Sequence, residues 1–151
     1  MKEEKTRAYI SGPVTGNENY MQQFEEAEQK IKACGFDVIN PAKIFKPLED
    51  ILPYEQCMAL CMELLDYADC IVMLDGWKDS RGANREYGFA DGRGMDVYDI
   101  SVFQQEVADR LNITLVYYQK IEDGSRTGNF EIWDRLEEMF NVHQKILREI
   151  S

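Results

Sequence analysis

A carboxylate stands among small and aromatic residues in the stretch "GWKDSRGANREYGFA", residues 76–90. Ser80 is the type of residue that caps a helix N-terminus, with Gly82 and Ala83 just inside it. Ala83, Tyr87 and Ala90 follow at helical spacing. At roughly 100° per residue, Glu86 falls roughly 60° from Ala83 and roughly 40° from Ala90, so it flanks the apolar stripe rather than opposing it. It is either a solvated surface acid or a group drawn into a crevice one turn inside a helix. In a crevice, a carboxylate is suited to act as a nucleophile.

The chain holds few other reactive groups. Its single histidine, His143, lies in an apolar stripe near the C-terminus and reads as a packing residue. One histidine excludes His-rich metal sites and makes a Ser–His or Cys–His triad improbable chemistry here. The cysteines, Cys34, Cys57, Cys61 and Cys70, form no CxxC pair and read as reduced thiols in a cytoplasmic protein. No metal and no cofactor is expected.

The elements that must position Glu86 can be read from periodicity. "RAYIS" (7–11) is a short apolar strand bounded by the loop "GPVTGN". A helical period starts at Asn17 and runs through Tyr20, Phe24, Ala27, Ile31 and Cys34 to Gly35. "FDVINP" (36–41) is a second strand, stopped by Pro41. A loop containing Pro47 and Pro53 leads to a helix over about 54–68, with Met58, Cys61, Leu65 and Ala68 on one face. "CIVML" (70–74) is a continuous apolar run, the pattern of a central parallel strand. The helix carrying Glu86 follows, ended by Gly94, and "MDVYDI" (95–100) is a fourth strand.

This alternation predicts an α/β fold: a flavodoxin- or Rossmann-like doubly wound sandwich with a mostly parallel sheet of about five strands. The fifth strand is expected at "ITLVYYQ" (113–119), after a helical "SVFQQEVADRLN". A C-terminal amphipathic helix is expected over the last 20 residues, with Trp133, Leu136, Phe140, Leu147 and Ile150 at steps of three and four. The whole chain, 1–151, reads as one domain with its core over 7–100 and a less regular extension over 101–151.

Composition narrows the partners. A net charge of −11 disfavours nucleic-acid backbones, which require clustered Lys and Arg. No apolar run spans a bilayer, and "MKEEKTRAYI" has no signal-peptide core, so a cytoplasmic location without a membrane partner is expected. In doubly wound sheets ligands gather beyond the carboxyl ends of the strands. That rule collects Ser11, Gly12, Pro13 and Gly16 after strand one and Asn40 after strand two. It adds Asp75, Gly76 and Trp77 after strand three, with Ser80 and Gly82 at the next helix start. Such a crevice suits a small nucleoside or nucleotide, and Trp77 suits a flat ring. The dinucleotide fingerprint GxGxxG is absent. A glycine-rich strand-end loop is also compatible with a tight turn and nothing more.

Taken together and in order, "AYISGPVTG", "VINPA", "ADCIVMLDGW" and "SRGANREYGFA" resemble the nucleoside 2-deoxyribosyltransferase-like superfamily. That superfamily includes nucleoside 5′-monophosphate N-glycosidases and many small homologues. The resemblance implies cleavage or transfer at an N-glycosidic bond, with Glu86 as the nucleophile and Tyr9 beside it to orient it. It implies that Ser80, Gly82 and Ala83 line a sugar or phosphate site, and that the protein assembles as a homodimer or higher homo-oligomer. It departs from the pattern at Cys61, where the superfamily places an acid eight residues before the Asp69 position. The neighbouring acids Glu55, Glu63 and Asp66 fall on other faces of that helix, roughly 120° or more away. Impaired catalysis, with nucleotide binding retained, is the alternative this departure implies.

Overall fold

The structure, a computed structural model, describes residues 5–110. Four strands, β1 (Arg7–Ser11), β2 (Asp37–Ile39), β3 (Cys70–Met73) and β4 (Asp96–Asp99), form one sheet in the order β2-β1-β3-β4. Every pairing is parallel. The connecting helices are α1 (Tyr20–Ala33), α2 (Pro41–Phe45), α3 (Tyr54–Tyr67) and α4 (Arg81–Arg93), with α5 (Phe103–Arg110) after the last strand. This is the α/β, Rossmann- or flavodoxin-like architecture expected from the alternating pattern. The expected fifth strand and C-terminal helix lie outside the described residues.

Side-chain alternation along the two central strands separates two cores. Ala8 and Ile10 of β1 and Cys70 and Val72 of β3 face α1 and α5, packing with Phe24, Ile31 and Phe103. Tyr9, Ile71 and Met73 face the opposite way, against Cys61 and Leu65 of α3 and Ala83 and Ala90 of α4. Fully burying an aliphatic side chain such as Leu65 or Ile71 contributes roughly 1.5–3 kcal/mol, so each face is held mainly by its own apolar layer. Tyr9 is the exception in kind: a phenol on the strand's core-facing side, which needs a hydrogen-bond partner inside.

Two boundaries differ from the sequence reading. Helix α1 begins at Tyr20 rather than Asn17, because Asn17 is used in the preceding turn. Its Nδ2 donates to the Pro13 carbonyl and to Gln23 Oε1, both at 2.9 Å. The region after β2, expected to be loop, contains α2. There Asn40 Oδ1 accepts from the Lys43 backbone N–H at 3.2 Å, and Pro41 occupies the first helical position, where its missing N–H costs nothing.

Two ion pairs set α3 alongside α4. Arg85 reaches Glu55 at 3.4 Å, and Arg93 pairs with Asp66. At the amino end of the sheet, Arg7 grips Asp69 through its side chain at 3.1 Å and its backbone N–H at 2.8 Å. Among the described residues no helix is long and apolar enough to cross a membrane.

Candidate active site

Tyr9 and Ser11 are two residues apart on β1, so both project from the face covered by α3 and α4. Glu86 sits in the second turn of α4, where the buried positions are Ala83, Glu86 and Ala90. The small side chains on either side of it let α4 approach the sheet closely, and Glu86 meets the two hydroxyls there. The Tyr9 hydroxyl donates to Glu86 Oε2, and Ser11 Oγ donates to Oε1 at 2.9 Å. All three residues are buried, and Glu86 is only 6% exposed. Both carboxylate oxygens are thus fixed by donors from a central strand that lies 75 or more residues away in sequence.

Burial is the dominant influence on this cluster. It pushes the Glu86 carboxyl up to about 7, against smaller downward pulls from the Tyr9 and Ser11 hydrogen bonds. Burial also raises the Tyr9 phenol well above its usual value, and the adjacent Glu86 charge adds to the rise. Cys61, 8% exposed, packs from α3 against Tyr9. Burial pushes its thiol up to about 11; hydrogen bonding with Tyr9 works against that, and Glu86 and Cys57 reinforce it. The result is one carboxyl poised near neutrality beside three groups that keep their protons.

The structure brings Glu86, Tyr9, Ser11 and Cys61 together. Ser11, grouped by its sequence position with the strand-end loop, points inward to Glu86 instead. The Tyr9-x-Ser11 spacing, two hydroxyls on one strand face, is the signal that marks it. Gly12 is set by packing. A Cβ there would lie 2.8 Å from Leu74 Cβ, so glycine is what allows β1 and the end of β3 to approach. That approach includes a Leu74 N–H bond to the Ser11 carbonyl at 2.8 Å.

The remaining candidate residues lie after β1, after β3 and at the start of α4. Pro13 is half-buried, and Gly16 is exposed in the turn that follows. Asp75 and Gly76 are exposed beyond β3, and Gly76 has φ +83°, a conformation that favours glycine. Trp77 is half-buried, its ring 4.8 Å from that of Tyr87. Ser80 Oγ accepts from the Ala83 N–H at 3.2 Å and caps α4. A Cβ at Gly82 would lie 3.4 Å from Met58 Sδ and Tyr54 Oη, so glycine keeps the start of α4 tight against α3.

Asn40 is separate from this cluster. Besides capping α2, its Nδ2 donates to Glu28 Oε1 at 3.2 Å, and the buried Glu28 carboxylate also pairs with the exposed ammonium groups of Lys32 and Lys43. Among the described residues no group of three or more His, Cys, Asp or Glu is placed to hold a metal.

A protein-family model described as "Domain of unknown function (DUF4406)" matches residues 6–99, from just before β1 to the last residue of β4. That span is more than half of the 151-residue chain and contains the whole Tyr9–Ser11–Cys61–Glu86 cluster. No curated protein gives a significant match.

Proposed function

The chain belongs to the DUF4406 family of domains of unknown function, and for this member we propose cleavage or transfer at the N-glycosidic bond of a nucleoside or nucleoside 5′-monophosphate. Glu86 is the nucleophile. The observation that carries this reading is a single carboxylate, 6% exposed, with both oxygens held by hydroxyls, beside the carboxyl ends of the two central strands. A buried glutamate with that much ordering and no cationic partner among the described residues is costly as mere packing, which favours a chemical role.

In the proposed reaction Glu86 attacks C1′, the bond from C1′ to the base nitrogen breaks, and a glycosyl ester forms. Water or a second base then attacks C1′ and frees the carboxylate. Tyr9 and Ser11 orient the nucleophile. The loop from Gly12 to Gly16, the segment Asp75–Trp77 and the start of α4 at Ser80–Gly82 surround the substrate. The resemblance to nucleoside 2-deoxyribosyltransferase-like proteins supports the same assignment. Assembly as a homodimer or larger, and action in the cytoplasm, belong to the proposal as well; light scattering tests the first.

Free-base release from ribo- and deoxyribonucleosides and their 5′-monophosphates, followed by chromatography, tests the reaction. Release by the wild type that falls at least ~10³-fold in Glu86→Gln is expected. Equal release by the variant, or none from the whole panel, overturns the reaction.

Cys61 favours a second reading, a nucleotide-binding protein without turnover, because the thiol beside Tyr9 is a poor acid. That reading predicts thermal stabilisation by a nucleotide with no base released.

A further inference from the structure

The groups that converge on Glu86 differ in what they can do with a proton. The Tyr9 and Ser11 hydroxyl protons are already donated to the two Glu86 oxygens. Cys61, the third group, is a buried thiol, a weak donor by its chemistry. The carboxylates of α3 are engaged or turned away: Glu55 with Arg85, Asp66 with Arg93, and Glu63 exposed. Asp69 is held by Arg7 at the amino end of the sheet. Asp75 and Asp79 are open to solvent in the segment after β3. Among the described residues the cluster therefore holds a nucleophile, two groups that orient it and a thiol, with no carboxylic acid beside them to protonate a departing base.

A neutral base leaving a sugar must take up a proton; a base that is already cationic need not. Resting on the glycosidic reading above, we propose that this site acts on N-glycosides whose base carries a formal positive charge, such as N-alkylated purine or pyridinium nucleotides. Glu86 forms a bond to C1′ as the C1′–N bond breaks. The bonding electron pair stays on nitrogen and cancels its charge, so the base leaves neutral without a proton from the protein. Water then attacks C1′, Glu86 departs as carboxylate, and the surplus proton goes to solvent.

The test compares base release from N7-methylguanosine 5′-monophosphate and nicotinamide mononucleotide with release from guanosine 5′-monophosphate and uridine 5′-monophosphate. Each rate is divided by its spontaneous rate, because charged nucleotides are intrinsically more labile. The wild-type enhancement is expected to be at least ~100-fold larger for the charged bases, the usual worth of a general acid to a neutral one. Cys61→Asp should narrow that ratio at least ~10-fold by supplying the acid.

Where Cys61→Asp does not fold, a wild-type series of halogenated uridine 5′-monophosphates decides. Without acid assistance, release should accelerate steeply, by up to about tenfold per unit drop in the pKa of the free base. Equal enhancements for charged and neutral bases, a flat series, or neutral-base release that collapses in Asp75→Asn or Asp79→Asn would overturn the proposal and leave the glycosidic reading standing. No release from any nucleotide, charged or neutral, would instead sink that reading itself.

Discussion

Replacing Glu86 by Gln should remove a specific pH dependence from the stability of the protein. The folded state holds this carboxyl at about 7 against an ordinary value of 4.5, chiefly because burial disfavours its charge. A carboxyl raised on folding favours the folded state while protonated. Its contribution is fully present below the unfolded value and is lost as pH rises through the folded one. At roughly 1.4 kcal/mol per pH unit, the gap amounts to about 3 kcal/mol over the full window. About 2 kcal/mol of it falls between pH 5.5 and 8.0, a range clear of the sequence pI near 4.6. Urea denaturation of wild type and Glu86→Gln at those two pH values gives the assay. The stability of the variant relative to wild type should rise by about 2 kcal/mol from pH 5.5 to 8.0. Other titrating groups cancel in that difference, as does the constant cost of an amide that cannot accept from both hydroxyls. Parallel pH profiles for the two proteins would refute the claim that Glu86 titrates near neutrality in the fold.

Three further outcomes follow from the same geometry. Tyr9→Phe removes a hydrogen bond that lowers the Glu86 pKa, so the midpoint of the kcat/KM pH profile should move upward from about 7 and the rate at pH 7 should fall; an unmoved midpoint would contradict the pairing. Gly12→Ala forces a Cβ to within 2.8 Å of Leu74 Cβ, and urea denaturation should show a loss of about 1–3 kcal/mol; wild-type stability would mean the β1 and β3 ends are not in contact as described. Ser80→Ala deletes the α4 cap and should cost about 1 kcal/mol in the same assay, whereas Ser80→Asp should recover most of it.

Local periodicity made the fold legible. The strands at 7–11 and 70–74 read correctly because β1 and β3 are short apolar runs covered on both sides, and Phe24, Ala27 and Ile31 mark α1 by spacing alone. Side-chain competition blurred the ends. Asn17 looked like the start of a helix but folds back onto Pro13, and Asn40–Pro41 looked like the end of a strand but caps α2. The position of Glu86 beside the apolar stripe was readable from the helical wheel. Its burial was not, because that depends on two hydroxyls contributed by β1. Ser11 reads from sequence as the end of the first strand and as a lining residue of the ligand crevice; its bond to Glu86 is not legible there, although its alternation with Tyr9 puts both on one face. Trp77, read as a platform for a flat ligand, already lies against Tyr87, a contact between a short turn and the α4 helix that no spacing rule gives.

The central claim is that Glu86 bonds covalently to the anomeric carbon. Incubation with a 2′-deoxy-2′-fluoro nucleotide, in which the fluorine slows release of the glycosyl ester more than its formation, followed by intact mass and peptide mapping, tests it most directly. A mass increase of one fluorinated sugar phosphate on the peptide containing Glu86, absent in Glu86→Gln, is the predicted result. Base release without any adduct on Glu86, or an adduct on another residue, would contradict it.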